Sequence, residues 1–372
     1  MYLCRLFIAF ILHFMLKKAL YLELFIFLWY NIIIISKISE RKIIMNVKSE
    51  LLATLAKANG NFISGAALAD ELGVSRNAVW KAVKSLEAEG YSISSVTSKG
   101  YRLNEDNNRL SVNLISPLLR TKELGRNMKI YEEVESTNNT TKELDSDAVP
   151  NGTTVLADRQ TAGKGRIGRS FVSPSGVGLY MSTLIRPEFS LEYAPMITAA
   201  AACAAAEAVE KLCGSPVKIK WVNDLYMNDK KICGILTEAS FGLEMRTLDC
   251  AVIGIGINVR SAKEIFGEEL CKTVTSIQDE TGIIVNRNRL CAEVLNNLEV
   301  YLGKIVDRSF LQEYRKREYL TGHVVTANIG RDKILGEAIG IDDNANLIVR
   351  LSSGEEKHLS SGEANLCRIA DN

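Results

Sequence analysis

The stretch Arg159-Gln160-Thr161-Ala162-Gly163-Lys164-Gly165-Arg166-Ile167-Gly168-Arg169 decides how the middle of the chain is read. Its glycines alternate with Lys164, Arg166 and Arg169, so the backbone can approach a ligand closely while cations surround it. That is chemistry for phosphate. It is not a Walker loop, because GxxxxGK[ST] is absent, and it is not the dinucleotide fingerprint, whose GxGxxG opens a helix. With four cations and one acid from Asp158 to Ser170, a free loop of this kind is expected to be mobile until an anion neutralises it; a solvated basic loop is the plain alternative.

The segments on either side fit a ligand site. Upstream, Glu135-Ser136-Thr137-Asn138 stands between a strand-like run, Lys129 to Val134, and a short helix reaching Leu144. Its hydroxyls and amide can hold a small polar ligand or simply cap the helix. Downstream, the alanine-rich helix Thr198 to Leu212 is expected to pack tightly on a sheet. Lys218-Ile219-Lys220-Trp221-Val222-Asn223-Asp224 then reads as a strand ending in a turn, with Lys218 and Lys220 on one face. A lysine facing a pocket there binds carboxylate or phosphate; on an edge strand it only meets water. Lys231 to Glu238 and Ala251 to Val259 are further apolar strands. Their Gly234, Gly254 and Gly256 imply either close approach of a flat ligand or tight sheet packing.

Before residue 104 the pattern changes to helix, helix, helix, hairpin. Val47, Leu51 and Leu55 share a face. Ser64 and Ser75 are placed to cap helices Gly65 to Leu72 and Arg76 to Glu89, separated by Gly-Val-Ser, which makes a helix-turn-helix. Tyr91 to Leu103, turning at Thr97 to Gly100, reads as a two-stranded wing. Residues 46 to 103 carry a net charge of +2, and Arg76, Asn77, Trp80, Lys81, Lys84 and Lys99 are the candidate DNA-binding residues. Arg76 and Asn77 would lie near base edges, and the lysines near phosphates. A winged helix used only for protein contacts is the alternative. Residues 104 to 112 are polar and aperiodic and read as a linker.

Composition sets the frame. At about 150 residues per domain, 372 residues imply two or three domains. Apolar residues at 47% and charged residues at 24% describe a folding chain, and the net charge of +1 excludes a protein that coats nucleic acid by bulk charge. Cys4, Cys203, Cys213, Cys233, Cys250, Cys271, Cys291 and Cys367 are scattered, without a CxxC pair, and are expected to be reduced core residues in a cytoplasmic protein. Residues 1–44 are strongly apolar, yet neither uncharged stretch reaches the roughly 20 residues that cross a bilayer. A start upstream of the real first residue, Met45, is the favoured reading. A membrane anchor and a peripheral helix are the others, so no membrane partner is expected unless residues 1–44 are translated.

The ordered set Glu-Ser-Thr-Asn, Gln-x-x-Gly-Lys-Gly-Arg-x-Gly-Arg, Ser173-Pro174, Lys-Trp-x-Asn-Asp, Gly-Ile-Leu-x-Glu and Gly-Ile-Gly-Ile-Asn resembles the biotin protein ligases. The winged helix in front resembles their bifunctional bacterial form, both ligase and repressor of biotin synthesis. The resemblance spans residues 46 to 370 and implies an α+β multidomain fold. Its parts would be a winged helix-turn-helix (45–106), a mixed-sheet ligase domain related to class II aminoacyl-tRNA synthetases (107–320) and a small SH3-like C-terminal barrel (321–372). Strands at Val324 to Ile329, Ile334 to Ile341, Leu347 to Leu351 and Glu356 to Leu359 fit the last.

The resemblance further implies ATP and biotin as substrates with a Mg ion, and formation of biotinyl-adenylate. Biotin then passes to a lysine of the biotin carboxyl carrier protein of acetyl-CoA carboxylase. Ser136, Thr137, Asn138 and Gln160 would hold the biotin ring. Gly163, Lys164, Gly165 and Arg166 would close over biotin and phosphate, and Gly234, Leu236 and Gly256 would line the site. Lys220 and Arg166 would be the catalytic cations, with Lys220 gripping the biotin carboxylate. Operator DNA of biotin genes and a second copy of the chain, as a homodimer, are the other implied partners. Two positions depart from the family pattern: Val222 where Pro is usual, expected to loosen the turn after Lys220, and Phe171 where Trp is usual, a smaller, donor-free face near the adenine. A lipoate-type acyl ligase and a biotin sensor without ligase activity are the competing readings.

Overall fold

The structure is a computed structural model that describes residues 47–58, 60–104, 107–146, 148–242, 247–329 and 332–367. The apolar segment 1–44 lies outside the described residues, and among these no helix is long and apolar enough to cross a membrane. The chain divides between Leu103 and Asn104 into two compact units.

The first unit opens with α1 (47–57), whose Val47, Leu51 and Leu55 are buried. Helices α2 (Gly65–Glu71) and α3 (Arg76–Ala88) begin as expected: the Ser64 and Ser75 hydroxyls accept from the backbone N–H of Ala67 and Ala78 at 3.1 and 3.2 Å. Each such cap is worth about 1 kcal/mol. Val79, Val83 and Leu86 bury one face of α3. Strands β1 (Ile93–Val96) and β2 (Gly100–Leu103) form the antiparallel wing, and Ile63 pairs with Tyr101 along its edge. Gly100 has φ +97°, and a Cβ there would sit 2.0 Å from the Ile63 carbonyl oxygen, so this turn needs glycine.

The second unit runs α4 (Val112–Ile115), β3 (Met128–Val134), α5 (Thr137–Glu143), β4 (Thr154–Gln160), β5 (Gly178–Ile185), α6 (Ala194–Cys213), β6 (Lys218–Lys220), β7 (Asp224–Met227), β8 (Lys230–Gly242) and β9 (Thr247–Asn258). Helices α7 (Lys263–Cys271), α8 (Ile277–Thr281), α9 (Arg287–Leu302) and α10 (Leu311–Arg317) follow. The strands make one seven-stranded sheet in the order β3-β4-β5-β9-β8-β7-β6. Only β3 and β4 run parallel, so the sheet is mixed. The run of alanines on α6 is fully buried against α9, β8 and β9. Small side chains let the helix lie close to both neighbours.

The chain ends in a five-stranded antiparallel sheet of β10 (Val324–Ile329), β11 (Asp332–Ile341), β12 (Leu347–Leu351), β13 (Glu356–Leu359) and β14 (Glu363–Leu366), ordered β13-β12-β11-β10-β14. Four of these strands match the sequence reading; β14, pairing with β10, has no counterpart in it. The buried Trp221 donates its indole N–H to the Ala345 carbonyl at 3.0 Å, joining this sheet to the larger one.

Two expectations change. Residues 107–111 are not a free linker. Ser111 N–H donates to Asn288 Oδ1 at 2.9 Å, Asn288 Nδ2 donates to the Arg109 carbonyl at 2.9 Å, and Leu110 is buried. The polarity that suggests a linker is satisfied inside the unit. Of the seven described cysteines, Cys203, Cys213, Cys233, Cys250 and Cys291 are buried free thiols, whereas Cys271 is half-buried and Cys367 exposed.

Candidate functional site

One pocket lies over β8 and β9, and the Thr137, Asn138 and Gln160 side chains that line it belong to a hydrogen-bonded chain of polar groups reaching behind it. Thr137 donates through its backbone N–H and its hydroxyl to Gln160 Oε1 at 2.8 and 3.0 Å, while Gln160 Nε2 donates to the Ser173 hydroxyl at 2.8 Å. Ser182 Oγ lies 2.7 Å from the Thr137 hydroxyl and 2.6 Å from Asn138 Oδ1. Asn138 Nδ2 donates to Glu238 at 2.8 Å. Burial would raise the Glu238 pKa, but hydrogen bonds from Lys142 and Asn138 hold it below the ordinary glutamate range. Ser136 starts α5 without a side-chain cap bond. Capping therefore does not account for Ser136-Thr137-Asn138; all three line the pocket.

The strand glycines make room for the protein's own side chains. A Cβ on Gly254 would meet Asn138 Oδ1 at 2.1 Å, and one on Gly256 would meet the Phe171 ring at 2.6 Å. Phe171 also lies against Gly234 and packs edge-on to Tyr180, with ring centroids 6.4 Å apart. The close approach to the sheet is made by Asn138 and Phe171.

Five cations line this pocket against two carboxylates. Lys164 donates to Asn139 Oδ1 at 2.8 Å and Arg166 to Asn223 Oδ1 at 3.1 Å. Arg169 grips Glu363 with two bonds of 3.0 and 2.6 Å. Lys220 donates to Asn365 Oδ1 at 2.7 Å and stands 5.5 Å over the Tyr226 ring. Lys231 pairs with Asp224 at 2.8 Å, beside Gly234. Burial pulls the Lys220 pKa below the ordinary lysine range, against Asp224 and Glu363. Hydrogen bonds from Arg169 and Asn365 keep the Glu363 pKa low despite burial.

Most of the expected site residues therefore meet in one place: Ser136, Thr137, Asn138, Gln160, Lys164, Gly165, Arg166, Lys220, Gly234, Leu236 and Gly256 all line the pocket. Gly163 does not. A Cβ there would lie 2.4 Å from the Phe171 carbonyl, so this glycine shapes the loop from behind. Nor does the loop hang free; Asn139, Asn223 and Glu363 tie it at three points. The turn at Val222 is likewise held, by reciprocal bonds between Asn223 and Ile235, both 2.9 Å. Arg169, read from the sequence as one of the loop cations, also lines the pocket, whereas sequence reasoning gave no site role to Lys231, Asp224 or Glu363. Lys231 and Asp224 sit in or near the Lys-Trp-x-Asn-Asp strand, but nothing local points to Glu363, which arrives from β14.

In the first unit Arg76, Asn77, Trp80, Lys81, Lys84 and Lys99 are all exposed. Lys84 is paired with Glu87 at 2.7 Å, and Lys99 lies 5.9 Å over the Phe62 ring.

Comparison with known proteins gives the chain its family. Residues 131–258 match the model of the biotin/lipoate A/B protein ligase family, residues 48–102 an HTH domain and residues 322–366 a biotin protein ligase C-terminal domain. The bifunctional ligase/repressor of Bacillus subtilis is 34% identical over 318 residues, covering 85% of this chain and 97% of its own length. That of Escherichia coli is 31% identical over 323 residues, covering 86% and 97%. The biotin protein ligase of Aquifex aeolicus in complex with biotin and ATP superposes with a TM-score of 0.56 at 31% identity, over 65% of this chain and 99% of that one. The chain belongs to the biotin/lipoate protein ligase family, among its bifunctional ligase/repressors.

Proposed function

We propose that the chain adenylates biotin with ATP, passes it to a lysine of the biotin carboxyl carrier protein of acetyl-CoA carboxylase, and represses biotin genes in response to the adenylate. The observation that carries this reading is the meeting of five cations over a polar lining whose donors and acceptors are already paired with one another. Such a lining is preorganised for one small polar ring, and the cations suit an anion that changes from carboxylate to phosphate.

In the first step a biotin carboxylate oxygen attacks the α-phosphorus of ATP, and pyrophosphate leaves. Lys220, Lys231 and Arg166 stabilise the charge that builds on the phosphate oxygens. Apart from Lys231, the partners of these cations are neutral amides, Asn365 and Asn223. An incoming anion replaces such partners without stranding a buried charge. In the second step the carrier lysine attacks the acyl carbon of the mixed anhydride, and AMP leaves. Phe171, stacked over Gly234 and Gly256, gives the wall of the pocket a flat apolar face. Among the described residues no group of three acidic, histidine or cysteine ligands is placed to hold a metal. A Mg ion entering with ATP would be held mainly through the nucleotide phosphates, with Asp224 and Glu363 the pocket carboxylates near it, and would add positive charge there.

The first unit is the DNA reader, α3 entering the major groove with Arg76 and Asn77 at its leading end. With a net charge of +2 it can make few phosphate contacts, so a homodimer on an inverted repeat is the form that reads an operator, in a cytoplasmic setting. The domains are assigned as 45–106, 107–320 and 321–372.

The test is pyrophosphate release from ATP on adding biotin, lipoate or octanoate, followed by mass measurement of a carrier domain. Release with biotin and a biotin-sized mass gain are expected. Release with lipoate or octanoate instead would replace this reading by an acyl ligase of another specificity, and no release at all would leave a sensor.

A further inference from the structure

Arg287, the first residue of α9, is the largest fully buried side chain among the described residues, with a relative exposure of 2%. Neither phosphate nor biotin chemistry calls for it, since it does not line the pocket. Its guanidinium is shared between two sides. On one, Nε donates to Asn108 Oδ1 at 2.8 Å and a terminal nitrogen donates to the Asn108 carbonyl. On the other, it donates to the Gly178 carbonyl at 2.9 Å and pairs with Asp158 at 2.7 Å.

Both sides lead to the pocket wall. Asp158 lies on β4 two residues before Gln160 and on the same face. Its carboxylate also accepts from the Ser175 hydroxyl and the Gly176 N–H. Burial would raise the Asp158 pKa, but the hydrogen bonds from Ser175, Arg287 and Gly176 hold it below the ordinary aspartate range. Asn108 Nδ2 donates to the Gly176 carbonyl at 2.7 Å. The segment Phe171–Gly176 is thus pinned at Ser173 by Gln160 and at Ser175 and Gly176 by Asp158 and Asn108. This segment carries Phe171.

We propose that Arg287 is a positioning residue for the ligand pocket and that Asn108, four residues into the second unit, is its working partner. The segment leading out of the first unit is then a structural part of the wall that carries Phe171 and Gln160. A buried guanidinium with four acceptors fixes them relative to one another because each lost bond leaves an unpaired group. The inference rests on the ligase reading for its kinetic arm only.

The experiment uses the full chain and compares Asn108→Ala with Asn296→Ala. Asn296 also ties an early segment to α9, bonding the Arg120 N–H and the Leu118 carbonyl, but has no route to β4. Two readouts are taken: KM and kcat for biotin in pyrophosphate release, and hydrogen exchange of residues 171–176 without ligand. Asn108→Ala is expected to raise the biotin KM about tenfold with kcat within about twofold, and to speed exchange across 171–176. Asn296→Ala should do neither, and Arg287→Met, which leaves Asn108 and Asp158 their direct bonds to Gly176 and Ser175, should follow Asn108→Ala. Equal KM and equal exchange in the two asparagine variants would overturn the proposal, whatever their unfolding temperatures. Should the unmodified chain release no pyrophosphate with biotin, the ligase reading fails, and exchange alone still decides on Arg287.

Discussion

The two units of this chain keep their charged side chains in opposite ways. On α3, Arg76 stands exposed at the first turn and Lys81 exposed on the face away from Val79 and Val83, so what they bind comes from outside. In the second unit each of the five pocket cations already has a partner, drawn from α5, the β6–β7 turn, β7 or β14. An exposed face is specified by one helix and its caps, whereas a preorganised pocket is specified by the tertiary fold. Mutations should therefore act locally in the first unit and cooperatively in the second.

The largest expected effect lies with the pocket lysines. Lys220→Ala and Lys231→Ala each remove a charge and little core volume, and each should slow adenylate formation by about 10²- to 10³-fold. Binding of the ligand-free chain to duplex DNA should not change. Pyrophosphate release and duplex titration on the same preparations check both halves. If only one lysine matters, the picture of cations acting together gives way to a single catalytic group. A smaller effect is expected from Lys81→Ala, which should weaken binding to a duplex of unrelated sequence a few-fold and flatten its salt slope by about 0.9, with the biotin KM unchanged. A change in KM would break the separation of the units. Smallest is Ser75→Ala, expected to cost the first unit about 1 kcal/mol in urea unfolding through loss of the bond to Ala78, with no effect on pyrophosphate release.

This contrast also explains what can be read from the sequence. Ser64, Ser75, the spacing of Val79, Val83 and Leu86, and the turn before Gly100 are local signals, and the first unit follows them. In the second unit Lys164, Arg166 and Lys220 stand out because glycine spacing and strand alternation mark them. Lys231 does not, since a lysine at the start of an apolar strand looks the same whether it meets Asp224 or water. The meaning of Gly254 and Gly256 depends on Asn138 and Phe171, more than 80 residues earlier in the sequence. Glu363 and Asn365 reach the pocket only because β14 pairs with β10 beside it. The polar run 107–111 looks like a linker because its partners, Arg287 and Asn288, lie far along the chain.

The placement of the indoles turns the same division into an optical property. Trp80 stands 49% exposed on α3, while Trp221 is 3% exposed in the pocket wall. The remaining tryptophan, Trp29, falls outside the described residues. A Trp29→Phe chain would carry one fluorophore in each unit, one in water and one in a protein interior with its N–H bonded to Ala345. Their emission would differ in colour and in access to a soluble quencher. Occupancy of the pocket and engagement of nucleic acid could then be followed in one cuvette, through intrinsic fluorescence and without an attached dye.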